Sequence, residues 1–244
     1  MGQAAPTNLA PILIAGVLFL VAIIALSLWA SGVRRQRTGS RQEALFALGF
    51  TPLDPPPDEL RERVAVLQPH RSQIMLRCVF GRPSTSGHAY LFDSIDAEND
   101  DASFMTSGVL AIASKALRSP AFTVLPRPEA RGSGSLGSLM DGMLELTYAL
   151  LANRGLVRVP VPDDPEFEQR FVVLAAEPWV TEVFLTPGRR TALLALSQGL
   201  VAAACQDTLM LSAHTPSGGS QPTVDEIGSR LELLEKLFEA MVAG

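Results

Sequence analysis

Cysteine is scarce in this chain of 244 residues, which contains Cys78 and Cys205 and no others. Two cysteines cannot build a disulfide framework, and their separation excludes the C-x-x-C spacing of zinc and redox sites. Both lie within apolar runs, "IMLRCVF" and "LVAAACQDTLML". We therefore expect two buried thiols in strands, where cysteine behaves as a small hydrophobic residue.

Histidine is also rare, and it forms no recognisable motif. The three histidines, His70, His88 and His214, are isolated, with no H-x-x-x-H pattern that would pair metal ligands on a helix. No serine lies in a G-x-S-x-G motif and no lysine follows a serine by three residues, so nothing indicates a serine hydrolase. The sequence predicts no metal site and no cofactor.

Acidic residues cluster in two places. Residues 96–101, "DAENDD", lack the glycine and the distal glutamate of an EF-hand calcium loop, so we expect a solvated loop. In "DDPEFE" at 163–168, Asp164 precedes Pro165, which is the pattern of a helix N-cap followed by proline at the first helical position.

One glycine-rich segment, "GSGSLG" at 132–137, matches the G-x-G-x-x-G pattern of dinucleotide-binding folds. In those folds the glycine turn begins at the end of a strand, so that the next helix N-terminus meets the pyrophosphate. Here Pro126 and Pro128 separate the glycines from the end of the preceding predicted strand. We therefore interpret the segment as a flexible loop.

Charge is absent from the first 33 residues, and the run at 9–29, "LAPILIAGVLFLVAIIALSLW", is apolar almost throughout. At about 1.5 Å per residue, a helix of this length spans the ~30 Å of bilayer hydrocarbon. The run is too long for a signal-peptide core, and no basic residue precedes it. We therefore predict a transmembrane helix at 9–30, after a short tail at 1–8.

Arginines follow this run immediately. Arg34, Arg35 and Arg37 lie in the predicted linker 31–41, and Trp29 is suited to the membrane interface. The positive-inside rule places this flank in the cytoplasm. We therefore expect a single-pass protein of the bacterial inner membrane, with its N-terminus outside and reduced cysteines inside.

The remaining domain, residues 42–244, is acidic. Four of the 20 basic residues precede it, so it has 16 basic against 25 acidic residues and a net charge of −9. Such a domain repels nucleic acid and anionic lipid. The predicted contacts are therefore the bilayer, through residues 9–30, and a protein partner or second copy, with no nucleic acid.

Strand patterns come first in this domain and helices later, which favours an α+β fold with a mainly antiparallel sheet. A hairpin is predicted at 73–98, with its turn in "GRPSTSG" at 81–87, and a second one closes around Gln206 and Asp207. A helix is predicted at 138–152. The strongest helix signal is at 223–242, where Thr223 and Glu226 form a capping box. Its apolar stripe comprises Ile227, Leu231, Leu234, Leu237, Phe238 and Met241.

Several short segments resemble an uncharacterised family of bacterial proteins that have one or two N-terminal membrane spans and a cytoplasmic α+β domain. They are "LGF" at 48–50, "YLFDS" at 90–94, "FTVLP" at 122–126, "PEFEQRFVV" at 165–173, "EVFLTP" at 182–187 and "DTLML" at 207–211. The resemblance covers roughly residues 42–244 and implies the fold. Members of the family have no established activity, so it assigns no functional residue.

Two functions are compatible with these patterns. The first is a membrane-tethered module that binds or scaffolds a protein partner, with the last helix packing on its own sheet or against the partner. The second is a ligand sensor or enzyme whose site is assembled from dispersed polar residues, for which His88, Asp93 and His214 are the candidates. Convergence of these side chains in a concave site would favour the second, and an exposed apolar surface would favour the first.

Overall fold

The computed structural model describes residues 42–67, 74–96, 106–127, 155–197, 199–213 and 222–243. The chain divides into two compact units, residues 1–48 and residues 49–244. In the first unit, helix α1 covers residues 42–47, and the Leu48 N–H donates to the Ala44 carbonyl. The helical pattern therefore ends just before Gly49, as the position of this glycine predicts.

The second unit contains a nine-stranded sheet in which every pair of neighbours is antiparallel. The strands are β1 (Thr51–Pro52), β2 (Ile74–Ser84), β3 (Gly87–Asp96), β4 (Thr106–Ala113), β5 (Ser119–Pro126), β6 (Val157–Val159), β7 (Phe171–Ala175), β8 (Leu200–Gln206) and β9 (Thr208–Ala213). The predicted α+β class and antiparallel sheet are confirmed.

The spatial order of the strands is β1-β2-β3-β4-β9-β8-β5-β7-β6. Strands β4 and β5 are consecutive in the chain, yet the β8–β9 hairpin lies between them and pairs with both. The hairpin turn is tight, since Cys205 pairs with Thr208, and Gln206 has φ +57° as such turns require. The last two strands therefore complete the middle of the sheet.

The described part of this unit contains the helices α2 (Asp58–Leu67), α3 (Pro165–Arg170), α4 (Pro187–Leu193) and α5 (Val224–Ala243), together with a π-helix at Val180–Phe184. Helix α2 packs over β2, β5 and β8, and its Leu60, Val64 and Leu67 share a core with Val109 and Ala111 of β4. The alternate residues of β4 face the other side of the sheet and are also buried. Since α5 packs against β4 and β9, the sheet has a helix on each face.

Two helix starts follow the sequence prediction. The Thr223 N–H donates to Glu226 Oε2 at 2.7 Å, and the Glu226 N–H donates to Thr223 Oγ1 at 3.3 Å. This reciprocal pair is the predicted capping box, and all six residues of the predicted stripe are buried. At α3, Asp164 Oδ1 accepts from the Phe167 N–H at 3.1 Å, with proline at the first helical position.

Two features differ from expectation. The β2–β3 hairpin is tighter than predicted, because the strands continue to a turn at 85–86 instead of ending at the Gly81–Gly87 segment. Cys78 is exposed, so the prediction of a buried thiol is wrong for this residue. It lies at φ +51° in a bulge between Arg77 and Phe80, which breaks the alternation of the strand.

Among the described residues, none of the helices is both long and apolar enough to cross a bilayer. Several predicted segments lie outside the described residues: the membrane helix at 9–30, the linker at 31–41, the glycine-rich loop at 132–137 and the helix at 138–152.

Candidate functional site

The structure places His88 and Asp93 on the same strand, β3, five residues apart. At about 3.3 Å per residue, their Cα atoms are separated by roughly 16 Å along the strand. His214 lies outside the described residues. The two described candidates therefore do not share a site.

Asp93 is buried and holds the start of β4. Its Oδ1 accepts a hydrogen bond from the Gly108 N–H at 2.8 Å. Gly108 has φ +66°, and a Cβ at this position would lie 2.4 Å from Pro222 Cγ. The Asp93 carboxylate thus stabilises the backbone conformation of Gly108, which lets Pro222, two residues before α5, lie against the sheet. The role of Asp93 is therefore structural.

His88 packs against Tyr90, with their ring centroids 4.9 Å apart. Close to this pair, Arg63 of α2 contacts Asp207 in the β8–β9 turn: Arg63 Nε lies 2.6 Å from Asp207 Oδ1, and Nη2 donates to Oδ2 at 3.0 Å. Burial raises the pKa of Tyr90, and the nearby carboxylates of Glu59 and Asp207 raise it further. The contact between Arg63 and Asp207 therefore holds α2 on the sheet.

The two cysteines are free thiols in different surroundings. Cys205 is buried in β8, and burial raises the pKa of its thiol, which makes the reactive thiolate rarer. Cys78 is exposed on β2. The described residues contain no group of three His, Cys, Asp or Glu side chains that could hold a metal ion.

Two consecutive arginines of α4 are buried and have different partners. Arg190 forms a bidentate pair with Asp163, both contacts being 2.8 Å, which lowers the pKa of the Asp163 carboxyl. Arg189 donates instead to two main-chain carbonyls, those of Phe184 and Met241, each at 2.6 Å. The Arg189 guanidinium therefore joins the end of the π-helix to the end of α5.

Exposed apolar side chains occur at both of these helices. Trp179 and Val183 are 43% and 65% exposed, and Val242 is 40% exposed. The first two are four residues apart at the π-helix, whose wide turn places them on nearly the same side. Val242 follows Met241, which Arg189 joins to Phe184 beside Val183. We call Trp179 and Val183 the Trp179 surface.

A cavity of about 540 Å³ adjoins Val242. It is open to solvent and lies between the β2–β3 turn, the end of β4 and the last turns of α5. The polar residues of its lining include Ser84, Thr85, Ser114 and Glu239. Its apolar wall is formed by residues such as Phe238 and Val242.

Sequence patterns did not indicate this surface, because exposure depends on which elements the fold leaves uncovered. The segment "EPWVTEVFL" predicts a short helix, but its π-helical bond from the Leu185 N–H to the Val180 carbonyl leaves no periodic signature. One signal was present at the end of α5. Val242 lies outside the apolar stripe that the helix buries, so an exposed valine could have been expected there.

Comparison with protein-family models, curated proteins and solved structures gave no match for this chain.

Proposed function

We propose that this chain is a membrane-anchored protein-interaction module that binds its partner through the Trp179 surface. The observation that supports this most directly is the exposure of Trp179 and Val183 on one side of a π-helix. Tryptophan is among the residues that contribute most to protein interfaces, and π-helical turns are often found at functional sites. Burying these side chains against a partner would remove exposed apolar area from water.

The second proposed function, a ligand sensor or an enzyme, has less support. His88 and Asp93 are separated along β3, and Asp93 is committed to the Gly108 N–H. Neither residue is among those that line the cavity beside Val242.

Site-specific photocrosslinking in intact membranes tests the interaction. A photoreactive amino acid replaces Val183 in one variant and Val157 in the matched control, because Val157 is also an exposed valine (47%) but belongs to β6. We expect a discrete adduct from position 183 and none from position 157. Adding Trp179→Ala should reduce the adduct about tenfold or more, as loss of an interface hot spot does.

Equal adducts from both positions, or no adduct from position 183, would contradict the proposal. Circular dichroism and thermal melting of the Trp179→Ala variant distinguish loss of the contact from loss of the fold. Since Trp179 is exposed, we expect its melting temperature to stay close to that of the wild type.

The proposed location is the cytoplasmic side of the bacterial inner membrane, anchored by residues 9–30. The apolar run and the arginines at 34, 35 and 37 support it. A reporter that is active only in the periplasm, fused after Gly244, should be silent, and a reporter that is active only in the cytoplasm should give signal. The reverse pattern would place the domain outside.

A further inference from the structure

We propose that residues 138–152 form a helix that packs on an apolar cluster of the sheet, on the face that carries α2. The cluster comprises Leu125, Leu156, Val172 and Leu174, and each of these side chains is at most 5% exposed. We call it the β7 cluster. Residues 138–152 belong to the segment 128–154, which lies outside the described residues and joins β5 to β6.

Strand pairing places the β7 cluster on the α2 face. Val172 pairs with Leu125, and Leu174 pairs with Thr123. Thr123 also pairs with Ala203 of β8, and Ala203 shares a core with the buried residues of α2. Directly paired residues point to the same face of a sheet, as do alternate residues of one strand. The β7 cluster and α2 are therefore on the same face.

Helix α2 does not extend over the β7 cluster. It contacts β2, β5 and β8, and its core meets the cluster at Ala121. Leu125 lies four residues farther along β5, which is about 13 Å at 3.3 Å per residue. The strand β7 is beyond β5, on the side away from β8.

The other helices in the described part of this unit lie on the opposite face. Phe184 of the π-helix packs on Phe122, which alternates with Thr123 along β5. Phe167 of α3 packs on Phe171, which precedes Val172 on β7. Helix α4 packs with α5, which covers β4 and β9 on that same opposite face. The described helices therefore leave the β7 cluster without a helix above it.

The chain connection leads across this part of the sheet. Strands β5 and β6 both pair antiparallel with β7, so they are parallel to each other. A connection between parallel strands crosses a face of the sheet and is usually a helix. The segment 128–154 makes this connection, and Leu125 lies close to its start and Leu156 close to its end. Both ends of the segment are thus at the β7 cluster.

The length of the segment fits this path. Pro126 pairs with Phe171 and Val157 pairs with Ala175. The end of β5 and the start of β6 are therefore separated by roughly 13 Å along the strands and by roughly 10 Å, two strand spacings, across them. A helix over residues 138–152 is about 22 Å long. The glycine-rich residues 128–137 supply the remaining chain that the turn into this helix requires.

Residues 138–152 have one apolar side and one polar side. At 100° per residue, an apolar stripe falls within about 60° of the helix circumference, and it comprises Leu139, Met143, Leu146 and Leu150. Asp141, Glu145 and Tyr148 are on the other side. Such a helix buries its stripe on an apolar sheet and keeps its charges in water. Docking there closes this face of the sheet to other proteins.

A crossover on the opposite face is the alternative. Right-handed crossovers predominate, and two of the same hand would place this connection on the face used by the β7–β8 connection, which contains the π-helix and α4. That face of β5 and β7 is already covered by the π-helix and α3. The free space and the apolar cluster on the α2 face outweigh the preference for one hand.

Disulfide crosslinking of the full chain in detergent tests the packing. The background carries Cys78→Ser and Cys205→Ala, and a cysteine replaces Val172. A second cysteine replaces one residue of 138–152 at a time, and the matched controls are on its polar side. Under a copper–phenanthroline oxidant, we expect an intramolecular disulfide from one or more stripe positions, Leu139, Met143, Leu146 and Leu150. We expect none from Asp141, Glu145 or Tyr148.

Maleimide labelling of Val172→Cys is the second measurement. Leu146→Asp with Leu150→Asp should raise the labelling rate about tenfold or more, because burying the two carboxylates is unfavourable and the helix detaches. Asp141→Asn with Glu145→Gln, on the polar side, should leave the rate unchanged. A cysteine at Val173, which is buried on the opposite face, should stay protected throughout. Labelling at both positions would report loss of the sheet, and the crosslinks would then decide.

Three results would overturn the inference. Crosslinks from the stripe to Val173→Cys in place of Val172→Cys would put the helix on the opposite face. Disulfides that join two chains on a denaturing gel would make a second copy the occupant. The third result is that no stripe position crosslinks to Val172→Cys in a chain whose circular dichroism matches the wild type.

Discussion

Arg189 shows how one buried side chain can determine the shape of a surface around it. It is 9% exposed, its guanidinium carbon lies 4.2 Å from the centroid of the Phe184 ring, and burial lowers its pKa. The carbonyls that it binds belong to the last turns of two helices, where a positive charge is favourable. The relative position of Val183 and Val242 therefore depends on Arg189.

Replacing Arg189 should destabilise the protein. We expect Arg189→Ala to lower the free energy of unfolding by about 2–3 kcal/mol, because two buried carbonyls lose charged donors. Urea denaturation of the full chain in detergent measures this. Arg158→Ala, which removes an exposed arginine on β6, is the matched control and should change the value by less than about 0.5 kcal/mol. Equal stability of Arg189→Ala and Arg158→Ala would show that the carbonyl contacts do not contribute.

Asp163 should make stability depend on pH in the acid range. The hydrogen bonds from Arg190 lower its pKa in the folded state, so its contribution is present above the unfolded pKa of about 4 and is lost as pH falls through the folded value. Melting temperature should therefore fall less steeply below about pH 4 in Asp163→Asn than in the wild type. Asp54→Asn, at an exposed site, should retain the wild-type slope. Parallel curves for wild type and Asp163→Asn would contradict this account.

Residue patterns were reliable where the interaction is local. Asp164 caps α3 because its carboxylate lies three residues before the Phe167 N–H, from which it accepts a hydrogen bond. This spacing can be read directly from the sequence. The exposure of Cys78 could not be predicted, because it follows from a bulge in the pairing of β2 with β3. Whether a strand contains a bulge depends on its partner strand.

At the scale of elements, helix α5 was predictable for the same reason. Its capping box joins two residues that are three positions apart, and its apolar stripe recurs every three or four residues, so both are visible in the sequence. The π-helix was not, because one extra residue in a single turn leaves a pattern that an α-helix also satisfies.

The cap of α5 offers a direct measurement. Thr223→Ala should lower the free energy of unfolding by about 1 kcal/mol, because the Glu226 N–H loses its acceptor. Glu226→Gln is the matched variant, since glutamine also completes a capping box, and it should be less harmful than Glu226→Ala. Thermal melting at pH 7 compares the three. Identical melting temperatures for Glu226→Gln and Glu226→Ala would mean that the reciprocal bond to the Thr223 N–H contributes nothing.

At the scale of the whole sheet, the strand order could not be predicted from the sequence. The existence of most strands was visible in the alternating and apolar runs, and successive strands are usually neighbours in a sheet. The position of the β8–β9 hairpin depends on pairing with β4 and β5, which are far away in the chain. The Trp179 surface was missed for a related reason, since its exposure depends on which elements the fold leaves uncovered.

This strand order predicts that the strands before residue 200 do not form a stable sheet without β8 and β9. A chain that ends at residue 199 lacks β8, β9 and α5, so β4 and β5 lose the strands between them. We expect no cooperative urea transition and a weak near-ultraviolet circular dichroism signal from this chain. Adding a peptide of residues 199–244 in trans should restore both. A cooperative transition in the shortened chain would show that the two halves of the sheet are stable separately.

The central position of the last hairpin also has a consequence during synthesis. A ribosome adds roughly 5–20 residues per second, so about a hundred residues between the end of β4 and the end of β9 require roughly 5–20 s. During this interval, β4 and β5 have emerged without their later partners, and their edges are open to other chains. We therefore expect the nascent chain to depend on chaperones that shield exposed strands until the final helix has been released.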